Sequence, residues 1–329
     1  LRPSLPGPIL RNPYHPGSLS GGLPACPAAR GSVAEAELQE IPEEAAAGRV
    51  AELYADIRQV LRTTQVNLLF RTLAVHEGYL AAAWAALRPN AQACYFERCA
   101  DGLRMRMVPP MPEDVPGHAE ELEGLGYPEE RIGEIAGILD VYNYAGPKEL
   151  ILAAALKGAL NGVRMGGVRP GHAEDAELLP LGAPPSMRRP RLADPARAGE
   201  KAEAVFEQIR QGSPGGALAS LWRALGDYPE YLELAWGFVR EQRKMKGFDI
   251  TVSLSQGAAA AAAHEFPHPV VLSRSQAAAQ GLSGAEADLI DRKLDHLIQL
   301  IPRTGSAIFF LKAALLGEGR VRRKPFEGE

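Results

Sequence analysis

Leu53–Trp84 reads LYADIRQVLRTTQVNLLFRTLAVHEGYLAAAW, and Val205–Trp236 reads VFEQIRQGSPGGALASLWRALGDYPEYLELAW. The two stretches align without a gap at an offset of 152 residues. Ten of the 32 positions are identical: Ile57/Ile209, Arg58/Arg210, Gln59/Gln211, Leu69/Leu221, Arg71/Arg223, Leu73/Leu225, Tyr79/Tyr231, Leu80/Leu232, Ala83/Ala235 and Trp84/Trp236. Roughly two or three identities are expected between unrelated sequences of ordinary composition. The repeat predicts two similar helical halves with a cleft between them. It does not by itself name a reaction.

Apolar spacing around the repeat is helical. Val50, Leu53, Ile57 and Leu61 form one stripe, and Thr63-Thr64 marks a break. Helices follow over about 66–73 and 78–87, and Pro89 is expected to stop the latter. Residues 92–102 and 128–144 read as helices. Gly146-Pro147 predicts an interruption before an Ala/Leu-rich helix over 148–160. The second half repeats the pattern over 201–210, 217–225 and 229–246, closing with helices over 284–300 and 304–316. The late segments ELILAAALKGAL and SAIFFLKAALLG also correspond, at an offset near 157. Phe248–Leu254 alone has strand preference, and one such segment cannot make a sheet; it reads as a helix start or an extended connection. The expected fold is all-α, two pseudo-repeated helical bundles with an inter-half cleft. The expected boundaries are a Pro/Gly-rich arm (1–40), half one (41–167), a linker (168–199), half two (200–322) and a tail (323–329).

The bulk numbers exclude several classes of function. With 36 Lys+Arg against 40 Asp+Glu, the net charge of -4 suggests no large basic surface for nucleic acid. No run has the length and apolarity of a membrane helix. Three cysteines do not make a disulfide framework, so a reducing cytoplasm is the simplest setting. There is no phosphate loop, dinucleotide fingerprint, HExxH or GxSxG motif, and the seven histidines lack zinc-ligand spacing. Neither a metal nor an organic cofactor is called for. A small ligand in the cleft between the halves is the expected partner.

Polar residues in apolar surroundings are the site candidates. Arg71 and Arg223 sit at matching places with Leu on either side. A buried guanidinium needs acceptors, and its fork suits a carboxylate. The competing reading is a pair of symmetry-related salt bridges. Trp84 and Trp236 read as core. Tyr142-Asn143-Tyr144-Ala145-Gly146-Pro147 lies between two apolar helices, where Asn143 can face a cleft or brace a turn.

The segments LYADIRQVLR, FRTLAVHEGYLAAAW, VYNYAGPKELILAAALKGAL and LGDYPEYLE together resemble the group I 2-haloacid dehalogenases, over roughly Ile41–Gly319. The resemblance implies an all-helical, pseudo-symmetric enzyme without a cofactor, with dimerisation a family-level expectation. It implies hydrolysis of either enantiomer of a small 2-haloacid to a 2-hydroxy acid and halide, with inversion, by water that an aspartate activates. Asn143, with Tyr144 beside it, matches the family's catalytic Asn-Tyr-Gly motif. Anchoring on Gly226-Asp227-Tyr228-Pro229 places the family's Ser-Asp pair on Ser220 and Leu221, so a leucine stands where the family has its base. Gln65 and Leu68 stand where pocket aromatics are expected, and Arg71 is a candidate for the substrate carboxylate. Two alternatives remain open: a catalytically inactive small-acid-binding or assembly protein, and a different hydrolysis using Asp227.

Overall fold

The computed structural model describes residues 39–168 and 173–328. The arm over 1–38 lies outside them, as do residues 169–172 of the linker. Among the described residues there are twelve α-helices and no strand, only two isolated bridges. Half one contributes α1 (Gly48–Leu61), α2 (Leu68–Leu73), α3 (Glu77–Ala91), α4 (Cys94–Arg106), α5 (His118–Gly124) and α6 (Glu129–Leu160). Half two contributes α7 (Glu200–Gln211), α8 (Ser220–Ala224), α9 (Pro229–Gln242), α10 (Lys246–His264), α11 (Arg274–Ala279) and α12 (Gly284–Leu316). No helix among the described residues is long and apolar enough to cross a membrane.

The repeat is visible in the packing. Helix α1 lies against α3 as α7 lies against α9. Phe70 meets Trp84 edge-on, with ring centroids 5.4 Å apart and an interplanar angle of 85°. At the matching positions, Trp222 meets Trp236 at 5.5 Å and 82°. The ring chemistry changed from Phe to Trp while the T-shaped geometry, which suits the quadrupoles of two aromatic rings, was kept.

Three helix boundaries differ from the sequence reading, each at a proline. Pro89 lies inside α3, Pro147 inside α6, and Pro302 inside α12. An interior proline removes one hydrogen bond and crowds the preceding turn, at about 3 kcal/mol. In α12 the carbonyl of Ile298, four residues before Pro302, accepts from Gln256 Nε2 at 3.0 Å instead. Helices α6 and α12 bury most of their side chains against each other and their neighbours, and this packing outweighs the local penalty. Phe248–Leu254 is helical, near the start of α10. Thr251 and Val252 pack inward while Ile250 stays exposed, and the helical packing overrides a weak strand preference.

The two cores do not follow the division of the chain. Leu150–Leu160 of α6 joins the core built on α1–α4, while Ile132–Leu139 joins the core built on α7–α9. Helix α12 runs the other way, with Ile290, Leu294 and Leu297 in the first core and Ile308, Phe310 and Leu315 in the second. Each long helix therefore ties both cores together, and their middle turns meet at the junction.

Candidate active site

At that junction lies a cavity of ≈ 50 Å³, with mostly apolar walls. It has room for a few water-sized groups. Helix α6 presents Tyr142, Ala145, Gly146 and Glu149, and α12 presents Ile301, Thr304, Gly305 and Ile308. Both sets have the i, i+3, i+4, i+7 spacing of a single helix face. A methyl group added at Gly146 would meet no atom within 4 Å, so the α6 wall is low there. The remaining sides come from the repeat itself: Gln65, Asn67, Leu68 and Arg71 in one copy, and Ala219, Ser220 and Leu221 in the other.

Arg71 is only 2% exposed, and its guanidinium is held on three sides. Nε donates to Glu40 Oε2 at 2.8 Å, Nη2 donates to Ser220 Oγ at 2.9 Å, and Nη1 donates to the Val66 carbonyl. Burial alone would lower its pKa, but the charge and hydrogen bond of Glu40, with the nearby Tyr142 and Glu149, together outweigh burial and raise it. Three of its five N–H groups are thus used among the described residues. Ser220 accepts from Arg71, which leaves its own proton free to donate. The other oxygen of Glu40 accepts from Arg223 Nη1 at 2.9 Å. The two repeat-matched arginines therefore converge on one carboxylate rather than forming separate bridges. Ile41 fixes that carboxylate in place, because its N–H donates to the Arg71 carbonyl at 3.0 Å and its own carbonyl accepts from Tyr54 Oη at 2.8 Å. A second cavity of ≈ 190 Å³ lies beyond Arg71 and Gln65, with Glu40, Arg189 and Arg223 in its wall.

Glu149 is the sole carboxylate among the described residues lining the inter-half cavity. The Leu69 N–H donates to its Oε1 at 2.8 Å. Burial pushes its pKa up to about 7, against the smaller opposing effects of the Leu69 N–H and the Arg71 charge. The Tyr142 hydroxyl is buried without a well-formed hydrogen bond, and burial raises its pKa to about 12, so it stays protonated at neutral pH.

The sequence candidates divide into two groups. Arg71, Gln65, Leu68, Ser220 and Leu221 all line the cavity. Asn143, Tyr144 and Asp227 are not among its lining residues. Asn143 is 2% exposed, on a different face of α6 from Tyr142, and its Oδ1 has no partner among the described residues. The Tyr144 ring lies under Lys148 Nζ, 3.8 Å from its centroid, and against Phe326. The Asp227 carboxylate pairs with Arg191 on the outside, with Nε at 2.7 Å. Glu149 and Thr304 escaped the sequence reading for one reason. Breaks expected at Pro147 and before Thr304 erased the helical register that puts them on the faces of Tyr142 and Ile301. A lone carboxylate opening the apolar run ELILAAAL was the available signal.

Comparison with known proteins agrees with this architecture. The family described as halocarboxylic acid dehydrogenase DehI matches residues 64–212. An (R)-2-haloacid dehalogenase of Pseudomonas putida is 29% identical over 82% of this chain and 87% of its own. A configuration-inverting 2-haloacid dehalogenase of Pseudomonas sp. (strain 113) is 32% identical over 60% of this chain and 64% of its own. The crystal structure of a D-2-haloacid dehalogenase mutant superposes with a TM-score of 0.79 at 25% identity, covering 89% of this chain and 98% of that one. In sequence and in fold, the chain is thus similar to the 2-haloacid dehalogenases.

Proposed function

We propose that the inter-half cavity binds a small 2-haloacid and hydrolyses it to the 2-hydroxy acid and halide. The observation that carries this reading is a buried guanidinium opening onto a small apolar cavity. The Arg71 donors and the Ser220 hydroxyl suit the substrate carboxylate. The apolar faces of α6 and α12 suit a short alkyl group and a halogen. Fixing the carboxylate at one end aims the carbon–halogen bond, and this positioning supplies much of the rate. The similarity to configuration-inverting dehalogenases supports attack from the face opposite the halogen, and so inversion.

A second reading is a small-acid-binding protein without turnover. It is favoured by Leu221, a fully buried apolar side chain where the resemblance calls for an aspartate. The experiment is halide release from both enantiomers of 2-chloropropionate, paired with calorimetric titration of lactate. Halide release above background supports the hydrolase. Binding of lactate with no release from either enantiomer supports the binding protein.

A further inference from the structure

We infer that Glu149 is the general base of this site, a carboxylate that enters the cavity from α6 rather than from the start of the second half. The inference rests on the hydrolytic reading above and names its missing group. Leu221 cannot accept a proton, and hydrolysis by water needs an acceptor within the cavity. Among the described lining residues only Glu149 carries a carboxyl group. Its Oε1 is held by the Leu69 N–H at 2.8 Å, which anchors that oxygen. Its Oε2 accepts no hydrogen bond among the described residues, so it is the oxygen open to a water. The side chain is neither fully buried nor exposed, and it keeps accessible surface while lining the cavity.

A bracing role alone does not account for a carboxylate. A glutamine would accept the same Leu69 hydrogen bond without the cost of burying an ionisable group. Burial also sets the strength of the acceptor, since a carboxyl group with a pKa near 7 is ionised in part at neutral pH and takes a proton more readily than an ordinary glutamate.

The step balances as follows. Glu149 Oε2 takes one proton from water while the water oxygen forms a bond to C2. The carbon–halogen bond breaks with its electron pair leaving on the halide. The products are the inverted 2-hydroxy acid, halide and protonated Glu149, which then loses its proton to solvent. Ser220 and Arg71 hold the substrate carboxylate throughout.

The test compares the wild-type chain with Glu149→Gln and Glu149→Asp, assaying halide release against pH. Glu149→Gln preserves size and the Leu69 bond, and circular dichroism verifies that it folds. For wild type, kcat is expected to rise with pH through about 7 and then level off. Glu149→Gln is expected to lower kcat by about 10²–10⁴-fold with KM little changed, and to lose the pH limb. Glu149→Asp is expected to keep part of the activity. Single turnover in ¹⁸O-water places the label in the hydroxy acid if water attacks directly. Activity of Glu149→Gln near wild type with the same pH limb overturns the assignment while leaving the haloacid reading intact. Unlabelled product in the first turnover overturns the base role in favour of an ester on the enzyme. No halide from wild type overturns the hydrolytic reading and this assignment together.

Discussion

The two copies of the repeat share a scaffold and differ in what they give the cavity. In the first copy Arg71 is buried, reaches across to Ser220 of the second copy, and lines the cavity. In the second, Arg223 is 21% exposed, binds the same Glu40 from the outside, and does not line the cavity. The long helices differ in the same way. Helix α6 offers a carboxylate and a phenol to the cavity, whereas α12 offers apolar groups and one threonine. A duplicated fold supplies two matching walls, and substitutions on one wall create the polarity that orients a substrate. The tryptophan pair shows the divergence on a smaller scale. Trp84 Nε1 donates to Asp56 Oδ2 at 2.6 Å, while Trp236 Nε1 is buried without a partner among the described residues.

The sharpest way to break this comparison is to truncate the two arginines separately. Arg71→Ala is expected to cost about 3–5 kcal/mol, because it empties a buried site and leaves Ser220 and the Val66 carbonyl without their donor, while Arg223 still holds Glu40. Arg223→Ala is expected to cost about 1 kcal/mol, since Arg71 still holds the Glu40 carboxylate. Urea unfolding of both variants measures the difference; equal losses would mean that the copies are energetically equivalent. Arg71→Ala should also raise KM in the halide assay, and Arg223→Ala should not.

Next in size is the stability of Glu149→Gln. The folded pKa of Glu149 is raised from an ordinary 4.5 to about 7, so protonation favours the folded state. Its contribution is fully present below about pH 4.5 and is lost as pH rises to about 7. Above pH 7 the buried charge costs wild type up to about 3 kcal/mol. Glu149→Gln removes that cost, so it should melt higher than wild type above pH 7 and lose this part of the pH slope. Thermal melts at pH 5 and pH 8 check it. A variant that melts lower at pH 8 would show that the carboxylate is needed by the fold.

The smallest effect is expected at the tryptophans. Trp84→Phe loses a hydrogen bond to a carboxylate that solvent and Arg88 also reach, at about 1 kcal/mol. Trp236→Phe loses no such bond, and since both variants shrink a buried indole by the same amount, it should cost about 1 kcal/mol less than Trp84→Phe. A chemical-denaturation comparison of the pair tests whether Asp56 makes the first copy the firmer one.

Much of the architecture could be read directly from residues. The identities at Ile57/Ile209, Tyr79/Tyr231 and Trp84/Trp236 are spaced for buried helix faces, and all six side chains are buried. Ser220, Leu221, Gln65, Leu68 and Arg71 were placed by landmarks within or beside the repeat, and the structure gathers all five at one cavity. Asn143 matched a motif, yet the register of an unbroken α6 turns Tyr142 rather than Asn143 toward that cavity. Asp227 was attractive as the nearest carboxylate in sequence, but the short helix and turn after Leu221 carry it outward to Arg191.

The sequence by itself determined that the chain is helical, duplicated and apolar at most of its repeat-matched positions, because those properties depend on periodicity and spacing along the chain. Only the tertiary structure decided that α6 and α12 run unbroken through Pro147 and Pro302, since burial between neighbouring helices offsets a local cost that sequence rules count in isolation. Their unbroken register, in turn, decided that Glu149 faces the cavity. Two arginines 152 residues apart meet on Glu40 for the same reason. Charge pairing is a matter of distance in space, and the packing of both halves fixes that distance.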